Sequence, residues 1–293
     1  MSSVRSPIKW YGGKFYIAKL ICSLMPEHSV YVEVFGGAGH VLFAKPRSDV
    51  EVYNDIHDGL VTLFRVIRDK PDELQAKLKW TLYSRSEFNL LREKYRNQDF
   101  IDDVDKAATV FYLIKNSINA KMSTFSVGRT PTNTSRPDSY YNAINTLKIV
   151  SNRLRNVIIE CLDFRKLIKV YDTENTLFYL DPPYVISSRR SGCAYKHEMS
   201  NNDHIELLNL LKTVKGKWIL SGYRNEIYDT ELSQFRYMEI RIPLHSRISG
   251  STKPYATEVL WFNYDPPSIL PFFEGQVTEL LYEEEDYEDN QHV

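Results

Sequence analysis

The residues best placed to do chemistry are Asp181-Pro182-Pro183-Tyr184, which come directly after the apolar run Leu177-Phe178-Tyr179-Leu180. Two consecutive prolines remove two backbone donors and fix two φ angles, so the loop is stiff and its carbonyls are not consumed in secondary structure. A carboxylate beside a proline carbonyl can accept both hydrogens of an exocyclic amino group. The aromatic face of Tyr184 offers a planar base a surface to stack on. The plain alternative is a strand-ending turn with a surface tyrosine.

A second constellation lies upstream. Glu33-Val34-Phe35 runs into Gly36-Gly37-Ala38-Gly39, and Asp55 ends the next strand-like run, at about the 20-residue interval of a carboxylate that accepts ribose hydroxyls. Glycines after a strand let backbone amides approach a ligand, and the next helix presents its N-terminus. A nucleoside cofactor fits this pattern. So does a simple tight turn, with Asp55 capping a helix that begins near Ile56.

Elements of two kinds must position these loops. Lys14 to Met25 has helical apolar spacing, Val30 to Phe35 is β-rich, Ala38 to Lys45 can open a helix, and Glu51 to Tyr53 makes a second strand. This βαβ pattern predicts a parallel sheet. Residues 56–155 then read as helices at 56–69, 72–81, 85–96, 103–118 and 138–155, broken by a polar segment from Asn119 to Pro137. Strand signals return at 157–161, 176–180, 218–221, 237–242 and 258–262, with a helix at 203–212. The expected architecture is α/β: a doubly wound, Rossmann-like sheet built from residues 1–55 and 156–278, interrupted by a helical insertion at 56–155.

Charge first argues against a nucleic-acid partner, because 37 Lys and Arg face 38 Asp and Glu. The acids are clustered, however. Glu279, Glu283, Glu284, Glu285, Asp286, Glu288 and Asp289 fall in a C-terminal block, 279–293, without Lys or Arg, which leaves the preceding residues at a net of +6. Such a block reads as a solvated tail, and a competing reading is a tail that contests a basic cleft with an acidic partner. Three cysteines (Cys22, Cys161, Cys193) without ligand spacing, an N-terminus lacking an apolar signal core and the lack of any span of about 20 apolar residues predict a cytoplasmic protein without structural metal or membrane anchor.

Taken in order, Lys9-Trp10-Tyr11-Gly12-Gly13-Lys14, Phe35-Gly36-Gly37-Ala38-Gly39, Asn54-Asp55 and Asp181-Pro182-Pro183-Tyr184 resemble the motifs of the Dam-like, D12-class DNA adenine-N6 methyltransferases, over residues 7–262. The resemblance implies S-adenosyl-L-methionine as cofactor. Its contacts would be Trp10, Tyr11, Gly12, Gly13, Lys14, Phe35, Gly36, Gly37, Gly39 and Asp55, with Asp163 and Phe164 at its adenine ring and Asp181 beside both its methionine and the target base. Asp181, Pro182, Pro183 and Tyr184 would form the catalytic loop that receives an adenine flipped out of double-stranded DNA. The motif order is that of the α group, in which the insertion reads the target.

Within the insertion, Phe111 to Lys121 resembles the family's helix that leads into a DNA-contacting hairpin. Ala120 stands where Gly is usual, and Met122 to Asn133 depart from enzymes that recognise GATC, which leaves the recognised site open. Lys115, Asn119, Lys121, Arg129 and Arg136 are the expected DNA contacts, of types that bind phosphates and base edges. Arg189 and Arg190, just beyond the catalytic loop, would clamp phosphates flanking an extruded base. The expected enzyme is a monomeric adenine methyltransferase working without a metal, solitary rather than fused to a nuclease, with a restriction-modification partner left open. Rival readings are N4-cytosine transfer, where Ser more often replaces Asp in this loop, methylation of an RNA base or glutamine amide, and a silent DNA-binding factor on the same fold.

Overall fold

A computed structural model describes residues 4–10, 12–127, 136–185, 198–243, 255–267 and the short strand 278–279. In chain order its elements are α1 (Ala18–Ser23), β1 (Val30–Glu33), α2 (His40–Ala44), β2 (Val50–Asn54), α3 (Asp58–Asp69), α4 (Pro71–Lys79), α5 (Arg85–Asn97) and α6 (Asp103–Lys115). A 3₁₀ turn (Ile118–Ala120) precedes α7 (Arg136–Asn145), α8 (Leu147–Leu154), β3 (Val157–Glu160), α9 (Phe164–Tyr171) and β4 (Thr176–Leu180). The chain ends through α10 (Asn201–Leu211), β5 (Lys217–Gly222), α11 (Glu226–Glu231), β6 (Arg236–Pro243), β7 (Tyr255–Phe262) and β8 (Thr278–Glu279). The architecture is mixed α/β.

Two compact units share these elements. One gathers Met1–Cys22 and Gly36–Cys161, the other Ser23–Phe35 and Leu162–Tyr282. In the first, β2 and β3 pair in parallel, with Val52 opposite Ile158. The insertion is organised around α6, whose residues from Ala107 to Ile114 are all buried because α3, α4 and α5 pack around it. A helix apolar on every side is stable only when surrounded in this way. Asp105, on the same helix and 2% exposed, is neutralised by Lys77 from α4 and Lys94 from α5, each at 2.6 Å.

A second buried ion cluster ties the last helix of the insertion to the strand that leads to Asp55. Arg153 on α8 donates to Glu51 on β2 at 2.6 and 2.9 Å and to the Leu42 carbonyl at 2.6 Å, while Lys45 reaches Glu51 at 2.7 Å. Burial alone would raise the Glu51 carboxyl, but the bonds from Arg153 and Lys45 hold it below the usual range. A buried charge that loses such a partner costs about 3–5 kcal/mol.

In the second unit β1, β4 and β5 run parallel, with Val32 opposite Phe178 and Phe178 opposite Trp218. All five residues of β4 are buried, as befits a strand covered on both faces. Beyond β5 the pairing changes direction, with β7 antiparallel to β5 and β6 antiparallel to β7. Residues 244–254, between β6 and β7, are fewer than the dozen or more that a parallel crossover needs, so the pair forms as a hairpin.

Other differences are local. The helix expected over 138–155 breaks at Thr146 into α7 and α8, and that expected over 14–25 shortens to α1. Helices α9 and α11 have eight and six residues, too short for a clear periodic signal.

Candidate active site

The glycine loop takes its shape from contacts inside the first unit. The Gly36 amide donates to the Asn54 carbonyl at 2.7 Å, and the Gly39 amide to the Gly36 carbonyl at 2.7 Å. Gly37 has φ 50°, the left-handed region that favours glycine, and a Cβ there would lie 2.8 Å from the Trp10 ring. A Cβ on Gly36 would lie 2.2 Å from a Tyr53 ring carbon. The loop is therefore pressed between two aromatic side chains, and the Tyr53 hydroxyl fastens it by donating to the Gly37 carbonyl at 2.7 Å.

Asp55 completes this half. One carboxylate oxygen accepts from the Gly37 amide at 2.8 Å and the other from the His57 amide at 2.7 Å. The alternative reading of Asp55 as a helix cap gives way to a different residue, because α3 is capped by the His57 ring, whose Nδ1 accepts from the Leu60 amide at 3.2 Å. An accepting Nδ1 places the ring proton on Nε2, which faces the Tyr95 hydroxyl at 3.1 Å. The Trp10 ring packs edge-on against His57, with centroids 5.6 Å apart. Trp10, Gly36, Gly37, Gly39 and Asp55 are thus brought together, and His57 is a supporting residue that the motif reading passed over.

Of the N-terminal segment, the Gly13 amide closes a turn on the Trp10 carbonyl at 3.0 Å, and buried Lys14 donates to the Gly12 carbonyl at 3.0 Å. Tyr11 lies outside the described residues. His40, the first residue of α2, packs against Phe15, with centroids 5.7 Å apart. Burial, then the charges of Lys14 and Lys9, pushes the His40 imidazole down to about 4, so it is neutral at physiological pH.

The Asp-Pro-Pro-Tyr loop leaves the carboxyl end of β4 in the second unit. Asp181 is half-buried and Pro182 buried. Burial first, and then the Asp181 charge, holds the phenols of Tyr179 and Tyr228 above the ordinary tyrosine range, which places the carboxylate close to two neutral hydroxyls. Tyr184 is only 8% exposed. Its hydroxyl donates to Glu258 on β7, and its ring packs edge-on against Tyr223, with centroids 4.6 Å apart. Little of the ring expected to stack on a base faces solvent.

In the same unit, Phe35 and Phe164 face each other with centroids 5.9 Å apart. Asp163 caps α9 by accepting from the Arg165 amide at 2.9 Å, and it pairs with the Arg165 guanidinium at 3.0 Å. That guanidinium lies 4.3 Å over the Phe164 ring.

The described DNA-contact candidates fall on the far end of α6, on the turn beyond it and, for Arg136, at the first residue of α7. Ser117 bridges Phe125 in antiparallel fashion, and Asn119 and Lys121 are exposed on the turn between them. Ala120 takes φ 56°, which accounts for the glycine usual at this position. Burial, then the charges of Lys9 and Arg136, pushes the Lys115 ammonium down to about 8. Lys9 is lowered in turn by burial and by Arg136. Lys9 had no place among the expected DNA contacts, and nothing in the linear order of residues 9, 115 and 136 announces their proximity. Arg129, Arg189 and Arg190 lie outside the described residues.

Among the described residues no group of three or more His, Cys, Asp or Glu is arranged to hold a metal, and no helix is long and apolar enough to cross a membrane.

Comparison with known proteins gives the family of the chain. The Type II methyltransferase M1.LlaDCHI of Lactococcus lactis subsp. cremoris is 27% identical over 89% of this chain and 96% of its own length. The Type II methyltransferase M.MjaIII of Methanocaldococcus jannaschii is 29% identical over 70% of this chain and 78% of its own. A DNA adenine methylase of Serratia marcescens is 24% identical over 67% and 73%. The family of D12 class N6 adenine-specific DNA methyltransferases matches residues 10–242, a span holding both strand-end loops and the insertion, and the chain belongs to that family.

Proposed function

We propose that the methyl donor of this DNA adenine methyltransferase is S-adenosyl-L-methionine and that it binds at the glycine loop. The loop suits such a group because two of its glycines are left-handed, so backbone amides rather than side chains line the surface. Asp55 is half-buried at the edge of this loop, and a carboxylate is the acceptor that ribose hydroxyls suit. Trp10, Gly12, Gly13, Lys14 and Tyr11 would border the same loop, while Phe35, Phe164 and Asp163 would meet the donor's adenine. When bound, the donor supplies a sulfonium methyl group.

The observation that carries the acceptor assignment is the Asp181-Pro182-Pro183-Tyr184 loop at the end of a wholly buried strand, with Asp181 close to the buried hydroxyls of Tyr179 and Tyr228. The amino nitrogen of adenine is a poor nucleophile because its lone pair is delocalised into the ring. Asp181 and the Pro182 carbonyl accept the two amino hydrogens, which favours a tetrahedral nitrogen whose lone pair points away from the ring. Positioning and a preorganised acceptor pair supply most of the rate. The proton lost from nitrogen after transfer passes to the Asp181 carboxylate. Pro183 stiffens the loop, and Tyr184 contacts the base, which must leave the duplex to reach it.

Residues 56–155 form the target-recognition insertion in this reading, with 1–55 and 156–278 as the catalytic domain and 279–293 as an acidic tail. Asn119 and Lys121 on the exposed turn, and Lys115 with Arg136 beside it, contact the duplex. Lys115 is held down by burial and then by the charges of Lys9 and Arg136, and an anion there would relieve that charge, which supports a phosphate. Arg129, Arg189 and Arg190 would extend this contact. The enzyme would act in the cytoplasm as a monomer on double-stranded DNA.

The test is Asp181→Ala. Mass spectrometry of DNA digested after incubation with the donor should find N6-methyladenine from the unaltered chain and none from the variant, whose DNA affinity in a gel-shift assay stays within about twofold. Appreciable turnover by the variant would sink the assignment.

A further inference from the structure

We propose that Glu258 is a positioning residue for the base-holding loop, acting through the Tyr184 hydroxyl. The inference rests on the reading of Asp181 to Tyr184 as that loop. Glu258 lies on β7 opposite Ile240 of β6, succeeded along the strand by the buried Val259 and Leu260. It is 3% exposed, an expensive place for a carboxylate unless the group is hydrogen-bonded.

Two of its bonds come from hydroxyls. The Tyr184 hydroxyl donates to Oε1, and the Ser221 hydroxyl on β5 donates to the same oxygen at 2.6 Å. Ser221 is itself fully buried. A carboxylate in the interior of a sheet thus gathers one strand and one loop, and the loop is the one that carries Asp181.

The prolines explain why one anchor matters. With φ fixed at Pro182 and Pro183, the loop keeps freedom chiefly at its two ends. Asp181 adjoins β4, which the sheet holds. The other end is Tyr184, held by Glu258 at its hydroxyl and by Tyr223 at its ring edge. Fixing that end sets the direction of the Asp181 carboxylate and the Pro182 carbonyl, and a misplacement of about 1 Å in reacting groups can cost on the order of a hundredfold in rate.

The experiment measures kcat, the KM for DNA and the KM for S-adenosyl-L-methionine with the full chain. Glu258→Leu should lower kcat about 10- to 100-fold and leave the KM for the donor within about twofold. Glu258→Gln, which retains an accepting oxygen, should recover most of the loss. The decisive measurement is a double-mutant cycle with Tyr184→Phe. If Glu258 acts through the hydroxyl, Glu258→Leu costs much less once the hydroxyl is gone.

Equal losses in both backgrounds overturn the proposal, as does a loss that tracks only the folded fraction seen by circular dichroism. Should Glu258→Leu fail to fold, Glu258→Thr carries the same cycle, since threonine suits a strand but is too short to reach Tyr184. Absence of N6-methyladenine from the unaltered chain overturns the reading of the loop. An active chain with an additive cycle overturns the role of Glu258 alone.

Discussion

The glycine loop and the Asp-Pro-Pro-Tyr loop both leave the carboxyl end of a strand, but they are held in different ways. The first is fixed by main-chain amides, two left-handed glycines and a carboxylate 18 residues from the amide it accepts. The second is stiffened by prolines, and its far end is tied by a side-chain hydroxyl to a carboxylate 74 residues away. A loop held by its own backbone tolerates almost no added atom. A loop held by one side chain tolerates change in volume but not loss of an acceptor.

The largest expected effect tests the first half of that contrast. Gly36→Ala places a Cβ against the Tyr53 ring, and overpacking of this kind costs about 1–3 kcal/mol. Isothermal titration should show donor affinity falling about 10- to 100-fold, with DNA affinity in a gel-shift assay unchanged. Unchanged affinity would mean that the loop has more room than its contacts indicate.

Next is the contact between insertion and duplex. Lys115→Ala should weaken DNA binding uniformly across sequences and reduce the slope of log affinity against log salt by about 1. A change confined to one sequence would instead make Lys115 a base contact.

A smaller effect concerns pH. The folded His40 imidazole titrates near 4, below the ordinary 6.5. The unfolded chain therefore binds the extra proton first as pH falls, so the stability due to neutral His40 is complete above about 6.5 and declines towards 4. His40→Gln should flatten that part of a urea-denaturation profile taken from pH 7 to pH 4. An unaltered slope would assign the acid sensitivity to other groups.

The smallest effect belongs to Ala120. A left-handed alanine is strained by about 1 kcal/mol relative to glycine, and Ala120→Gly should raise unfolding stability by about that amount in chemical denaturation. A loss of stability would show that the methyl group packs usefully, since Ala120 is 8% exposed.

Much of the first loop was legible in the sequence because its requirements are local. Gly36, Gly37, Gly39 and Asp55 lie within twenty residues of one another, and each answers a backbone need that other residues meet poorly. The α/β alternation was legible for the same reason, as was the helical insertion. The antiparallel turn of the sheet after β5 was not, since strand direction depends on the connection rather than on strand composition. His57 could have been found, because an acceptor side chain directly before a helix is a capping signal, although Asp55 drew that expectation first. Lys9 beside Lys115 and Arg136, and Glu258 beneath Tyr184, had no local signal at all. Their meaning is set by which distant strands and helices the fold brings together.

The order of synthesis gives the discontinuous units a further consequence. The described residues of the unit bearing the glycine loop end at Cys161, so all of them have been synthesised before Asp181 is made. Domains commonly fold as they emerge, and the donor-binding half can acquire its shape early. The acceptor loop has to wait for Glu258. A nascent or truncated chain that stops short of β7 would carry Asp181, both prolines and Tyr184, yet leave the tyrosine without its anchor.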